Sequence, residues 1–159
     1  ARVDMTVDLR SADLAYETAR ERLAQEGISV RRASGDEIRR AGDLAQAGFA
    51  PAWQWEVEQA SHYAPVPLFV ALDGERVISF AVYDTTGYAR FGPTGTLPEY
   101  RRWGIGGCLM RMCFADMKER GDTLGQIGWV GPISYYARAV GARISRAFWV
   151  FHKDLDQAH

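Results

Sequence analysis

Thr96-Leu97-Pro98-Glu99-Tyr100-Arg101-Arg102-Trp103-Gly104-Ile105-Gly106-Gly107 is the stretch on which the fold turns. It leads out of an interrupted β-type run and into the best helix pattern of the chain. From Ile105 to Arg120, residues Ile105, Leu109, Met112 and Cys113 share one face, Lys118 and Arg120 suit the negative end, and Gly121 is the stop. Glycines at such a strand-to-helix turn let the backbone come close to a ligand. Unpaired N–H groups at the helix start favour an anion such as a pyrophosphate. Two familiar phosphate patterns are excluded. A dinucleotide fingerprint needs a third Gly where Leu109 stands, and no Gly-Lys pair supplies a P-loop. A Gly-rich turn with a structural role alone stays open at this level.

Working back from the loop, Tyr88 to Thr96 reads as a strand interrupted by Gly92, Pro93 and Gly95, so the sheet is expected to bulge or open there. Leu68 to Leu72 and Val77 to Tyr83 are apolar runs joined by Asp73-Gly74, a hairpin signal. Ile28 to Arg32 predicts a strand, and Ser34 with Glu37 a capping box for the helix that runs toward Phe49. Pro51 suits the first turn of a further helix carrying Trp53, Trp55, Glu56 and Glu58. Downstream lie a strand from Leu124 to Val130, a short helix from Pro132 through Tyr136, and an aromatic-rich strand from Ile144 to His152. At the other end, Val3, Met5, Val7 and Leu9 alternate with polar residues, as in a half-buried strand. Ser11 then caps a predicted helix to about Glu26, stopped by Gly27.

A chain of 159 residues with 47% hydrophobic and 25% charged residues is an ordinary globular mixture, with enough chain to bury a core. The net charge of -1 gives no support to nucleic-acid or membrane binding. No apolar run approaches the roughly 20 residues of a membrane span. Cys108 and Cys113 share one predicted helix and form no disulfide framework, which fits a reduced, cytoplasmic setting. They read as small core residues, and no metal site is expected. Because the chain starts at Ala1, it is expected to be processed or a fragment of a longer protein.

The loop resembles that of the GNAT superfamily of acetyl-CoA-dependent N-acetyltransferases. Their pyrophosphate loop reads Arg/Gln-x-x-Gly-x-Gly/Ala, matched by Arg101-x-x-Gly104-x-Gly106, and Pro98-Glu99-Tyr100 is similar to their lead-in. The order of hairpin, interrupted strand and later strand–helix unit extends the resemblance from about Ile28 to Leu155. It departs at Arg102, where the family usually has Gly, and at Trp103, where a polar residue is usual. The fold implied is α+β (mixed α/β), with a mostly antiparallel mixed sheet that splays between its fourth and fifth core strands and is flanked by helices. The domain is expected over residues 28–159, with residues 1–27 an added strand and helix.

By the same resemblance acetyl-CoA is the co-substrate. Gly95, Thr96 and Leu97, together with Arg101, Arg102, Trp103, Gly104, Ile105, Gly106 and Gly107, would hold it. The N–H of about Thr96 would polarise the thioester. Tyr136 matches the family's proton donor to the leaving thiolate. Its spacing to Gly141 is one residue longer than usual, which keeps Tyr135 as a second candidate. For the base that takes the amine proton, Glu56 and Asp84 are the expected residues, with His62 or a water chain as alternatives. Trp53 and Trp55 are either a wall for the acceptor or core anchors. The implied activity is acetyl transfer to a primary amine of a small molecule. A non-catalytic acyl-CoA-binding module and a structural or partner-binding domain are the competing readings. The amino-terminal strand is expected to be an added edge strand, a dimer-forming arm, or the last strand of a preceding similar domain, as in tandem members of the family. A homodimer or a preceding domain would then be the partner.

Overall fold

The computed structural model describes residues 2–153, so the last residues of the expected 28–159 domain lie outside the described residues. The chain runs β1 (Arg2–Asp8), α1 (Glu17–Gln25), β2 (Ile28–Arg32), α2 (Glu37–Gly48), α3 (Trp53–Glu58), β3 (Leu68–Asp73) and β4 (Arg76–Tyr83). It continues with β5 (Arg90–Thr96), α4 (Ile105–Glu119), β6 (Leu124–Val130), α5 (Ile133–Val140) and β7 (Arg143–Phe148). The strands form one seven-stranded sheet in the order β2-β3-β4-β5-β6-β1-β7. All pairings are antiparallel except β5 with β6. This is the mixed, helix-flanked sheet that the loop motif implied.

Alternation along the strands sorts the core into two layers. On one face Phe69, Ala71, Ile78 and Phe91 pack with Leu23 of α1 and with α4. On the other, Val70, Leu72, Phe80 and Val82 pack with Ala41, Ala45 and Val57 of α2 and α3. Helix α4 is buried on more than its expected face, with Met110, Phe114 and Met117 also enclosed. Phe114 meets Phe91 of β5, with ring centroids 5.3 Å apart. The segment after β1 was expected to be helical from Ser11. Helix α1 begins only at Glu17, and the residues before it pack against the core that includes α4. Leu14 is buried there, and the Cys108 thiol donates to the Tyr16 carbonyl at 3.9 Å.

The position of β1 corrects the expectation of an edge strand. It lies inside the sheet, between β6 and β7, and β7 is the edge. Its alternation breaks for the same cause. Pairing shifts register at Met5 against both neighbours, and Asp4 is buried with Met5 and Val3. The buried carboxylate is compensated: it accepts from the Trp129 N–H at 2.9 Å and from Arg146 at 2.8 Å, with Arg90 at 3.6 Å. The capping box at α2 forms by half. Glu37 accepts from the Ser34 N–H at 2.9 Å, but no side chain caps the first turn. Among the described residues no helix is long and apolar enough to cross a membrane.

Candidate functional site

The sheet opens where the sequence is broken by Gly92 and Pro93. Strands β5 and β6 pair only through Arg90 with Gln126 and Phe91 with Ile127, and then part. On the other side β5 stays paired to β4 as far as Thr96 with Ser79, at the expense of a register shift between Ala81 and Tyr83. Beyond the parting point β5 therefore has one bonded edge and one open edge. Leu97 donates to the Ile78 carbonyl, so by the alternation of an antiparallel ladder the Thr96 N–H points away from β4, into the gap. A cavity of about 420 Å³ fills that gap, lined by Gly95, Thr96, Arg101, Gly106 and both tyrosines of α5.

The side of the cavity toward α2 is set by Gly95. A Cβ there would stand 2.5 Å from the Phe49 ring, which is stacked on Trp53 at 5.9 Å and edge-on to Phe80 at 5.7 Å. Trp53 is thus a core anchor, whereas Trp55 is exposed. Thr96 is fixed by its hydroxyl, 2.7 Å from that of Ser79, and Arg101 Nε donates to the Thr96 carbonyl at 3.1 Å.

Pro98–Tyr100 forms a turn of 3-10 helix, tied down by the Tyr100 hydroxyl on Asp73 at 2.5 Å. Arg102 and Gly104 then take left-handed conformations, with φ of 74° and 79°. Gly is the residue that does this without a steric penalty, which is the physical content of the departure at Arg102. The first intrahelical bond of α4 runs from the Cys108 N–H to the Gly104 carbonyl. The N–H groups of Ile105, Gly106 and Gly107 have no partner within the helix, and no side chain caps them. A Cβ at Gly106 would meet only the Thr96 hydroxyl, at 3.7 Å, so Gly or Ala fits there, as the Gly/Ala of the motif requires. The backbone of this turn fits a pyrophosphate: it is open, donor-rich and at the positive end of a fifteen-residue helix.

Helix α5 brings two phenols to the same cavity. Arg111 of α4 fastens it by donating to the Ala139 carbonyl at 3.0 Å. Tyr135 lies over the start of α4, its hydroxyl 3.5 Å from where a Cβ on Gly107 would be. Tyr136 lies deeper, edge-on to Phe91 at the point where the strands part, with ring centroids 6.4 Å apart. Burial, reinforced by the neighbouring Tyr135, pushes the Tyr136 phenol up to about 12. Burial also raises Tyr135, against a pull downward from Arg111.

The expected carboxylates are not brought together. Asp84 lies beyond the far end of β4, five residues from Ser79, or about 16 Å along an extended strand from the Thr96 pairing. Its backbone is left-handed, with φ of 67°, and turns the carboxylate to the end of α4. There it pairs with Arg120 and accepts from the Ala89 N–H at 2.8 Å. The structure thus places Asp84 in a separate cavity with Arg32, Tyr83 and Asp116, away from the cleft. Glu56 sits on α3, the helix against β5, half-buried, and desolvation holds its carboxyl above the usual range. It does not line the cavity. His62 is exposed beside Gln59. Cys108 and Cys113 are buried, and burial pushes both thiols up.

Phe49, Phe91, Met110 and Pro132 line the cavity and were not singled out from the sequence. Phe49 had one legible signal, its place at the end of a predicted helix. The others come from elements far apart in the chain, and no local pattern relates them.

No family model matches the chain, and no curated protein matches it. Solved structures do. A GCN5-related glucosamine N-acetyltransferase region of a fungal multi-domain GH3 beta-N-acetylglucosaminidase superposes with a TM-score of 0.70 at 21% identity, over 90% of this chain and 19% of that one. A GCN5-related N-acetyltransferase from Sphaerobacter thermophilus gives 0.62 at 16% identity, over 91% of this chain and 50% of that one. A GNAT family acetyltransferase from Brucella melitensis, solved in complex with acetyl-CoA, gives 0.54 at 19% identity, over 83% and 93%. The chain therefore spans about a fifth and a half of the length of the first two. It has the GCN5-related N-acetyltransferase fold, as the loop motif implied.

Proposed function

We propose that this chain, built on the GCN5-related N-acetyltransferase fold, moves an acetyl group from acetyl-CoA to a primary amine of a small molecule by direct attack on the thioester. One observation carries the reading. The uncapped first turn of α4, the open edge of β5 at Thr96 and the Tyr136 phenol all face one cleft. In this reading the N–H groups of Ile105, Gly106 and Gly107 bind the pyrophosphate, and the pantetheine arm pairs along the open edge of β5. The Thr96 N–H points at the thioester carbonyl, and a donor so placed is worth about 2.7–4 kcal/mol in the transition state.

The amine nitrogen forms the new C–N bond as the C–S bond breaks. The departing thiolate takes its proton from Tyr136, whose raised phenol keeps that proton throughout the neutral range. The amine loses a proton to Glu56 through water, since Glu56 does not itself line the cleft. Its raised carboxyl is matched to accepting a proton nearer neutrality than an exposed glutamate is. The likeness to a glucosamine N-acetyltransferase region makes amino sugars the first acceptors to screen.

Calorimetric titration with acetyl-CoA and with free CoA tests the loop, and thiol release in the presence of candidate amines tests the transfer. Saturable binding with amine-dependent thiol release is expected. Absence of acetyl-CoA binding overturns the reading.

A further inference from the structure

The two edges of the sheet are finished differently. Strand β2 is backed by α1 and buries Ile28 and Val30, whereas β7 closes the other side with Arg143 to Ala147 all exposed. Strand β1 lies between β7 and β6, so this edge is separate from the cleft. Pairing with β1 fixes which way each residue of β7 faces, because residues opposite one another share a face. Arg143 stands opposite Thr6, Arg146 opposite Asp4 and Phe148 opposite Arg2, whereas Ile144 and Ala147 stand opposite Met5 and Val3. One face of the strand is thus basic and aromatic, and the other apolar. Apolar surface continues past the strand in the exposed Trp149, Val150 and Phe151. A free edge carries a row of unpaired N–H and C=O groups, which natural sheets blunt with lysine, proline or a very short strand. Strand β7 has six residues and neither lysine nor proline.

The strand already paired with β7 is a template for what its free edge would take. Strand β1 gives Asp4 to Arg146 at 2.8 Å on one face, and Val3 and Met5 to Ala147 and Ile144 on the other. The basic face is left with charge to spare. Arg146 keeps 63% of its side chain exposed. Arg143 makes no ion pair among the described residues. It lines a hollow with Arg138, Asp8 and Asp13, and there Arg10 holds Asp8 in a fork with both bonds at 3.0 Å, while Asp13 accepts from the Ala15 N–H at 3.1 Å.

We infer that the free edge of β7 docks an extended segment of a partner polypeptide in which acidic residues alternate with apolar ones. Added as a further strand, the segment takes its backbone bonds from the edge, sets its acids toward Arg143 and Arg146, and lays its apolar residues beside Ile144 and Ala147. The β7 strand of a second copy brings arginines rather than acids to this edge and lacks that complementarity.

The test uses the whole chain and three short labelled peptides: valine alternating with glutamate, valine alternating with lysine, and the glutamate peptide with alternate backbone nitrogens methylated. Fluorescence anisotropy reads binding. The glutamate peptide is expected to bind saturably, roughly 10-fold or more tighter than the lysine peptide, because each cross-strand charge pair is worth about 1.5- to 5-fold in either direction and two are reversed. Methylation should abolish binding, since it removes the backbone bonds and keeps the charges. Arg143→Glu should weaken the glutamate peptide by about 2- to 25-fold and strengthen the lysine peptide, a crossover that a loss of folding does not produce. No saturable binding, equal affinity for the two charged peptides, or full binding of the methylated one overturns the inference. So does a chain that is dimeric in light scattering and becomes monomeric with Ile144→Lys, which gives the edge to a second copy. Self-association caused by Arg143→Ala also overturns it, since Arg143 is then a guard against pairing.

Discussion

Two cavities of nearly equal size flank β4 and β5, about 440 Å³ around Asp84 and about 420 Å³ around Tyr136, and they differ in where their polar groups go. Around Asp84 the groups answer one another. Asp84 holds Arg120, Asp116 accepts from Arg32 at 2.7 Å and from the Tyr83 hydroxyl at 2.7 Å, and Arg120 also reaches Asp122 at 2.6 Å. The buried Tyr83 phenol is raised, and its hydroxyl donates a hydrogen bond to Asp116. Around Tyr136, strand-edge and helix-start donors face space. A polar cluster that satisfies itself stabilises a fold, whereas donors converging without protein partners suit a ligand. Volume does not separate the two; bonding does.

The largest effect expected to test this contrast is kinetic. Tyr136→Phe should lower turnover by about 10²–10⁴ while acetyl-CoA affinity and thermal stability stay nearly unchanged, because only a hydroxyl facing the cleft is removed. Steady-state rates beside calorimetry check it, and full activity in the variant removes Tyr136 from the mechanism. Next is Glu56→Gln, expected to slow amine acetylation by about 10². The base works deprotonated and its carboxyl is raised, so activity should fall as pH drops through that raised value. The acid limb should vanish in the variant. A pH profile of the same shape in both proteins would assign the proton to water.

The other side of the contrast predicts the opposite signature. Asp84→Ala should destabilise the chain by about 1.5–3 kcal/mol in urea unfolding, since it strands Arg120 and the Ala89 N–H, yet leave kcat within a factor of about three. A large loss of kcat without loss of stability would return Asp84 to the chemistry. The smallest effect is at the loop. Arg102→Gly should relieve the left-handed strain and raise stability by about 0.5–1 kcal/mol, while weakening acetyl-CoA binding. Weaker binding without added stability would mean that φ is relaxed elsewhere.

Local chemistry made much of this protein legible in one dimension. Apolar runs joined by Asp73-Gly74 marked the hairpin, period-two alternation marked β1, and helical spacing with charged ends marked α4 almost to the residue. Gly92 and Pro93 announced where the sheet would open, since a proline and a glycine remove a ladder donor and a side chain at once. The loop motif carried the fold because its glycines answer needs of the backbone itself: φ of 79° at Gly104 and close approach at Gly106. What depends on neighbours distant in sequence was not legible. The alternation of β1 fits an edge or an interior strand equally well, and only pairing with β6 and β7 placed it inside and buried Asp4. Ser11 is a good cap, but the helix starts only at Glu17, after Leu14 and Tyr16 have packed into the core, and burial of apolar surface is worth more than a single capping bond. Asp84 and Glu56 read alike as acids near a predicted site. A left-handed turn and Arg120 direct the Asp84 carboxylate into a separate cavity with Asp116, a placement that residue identity does not encode.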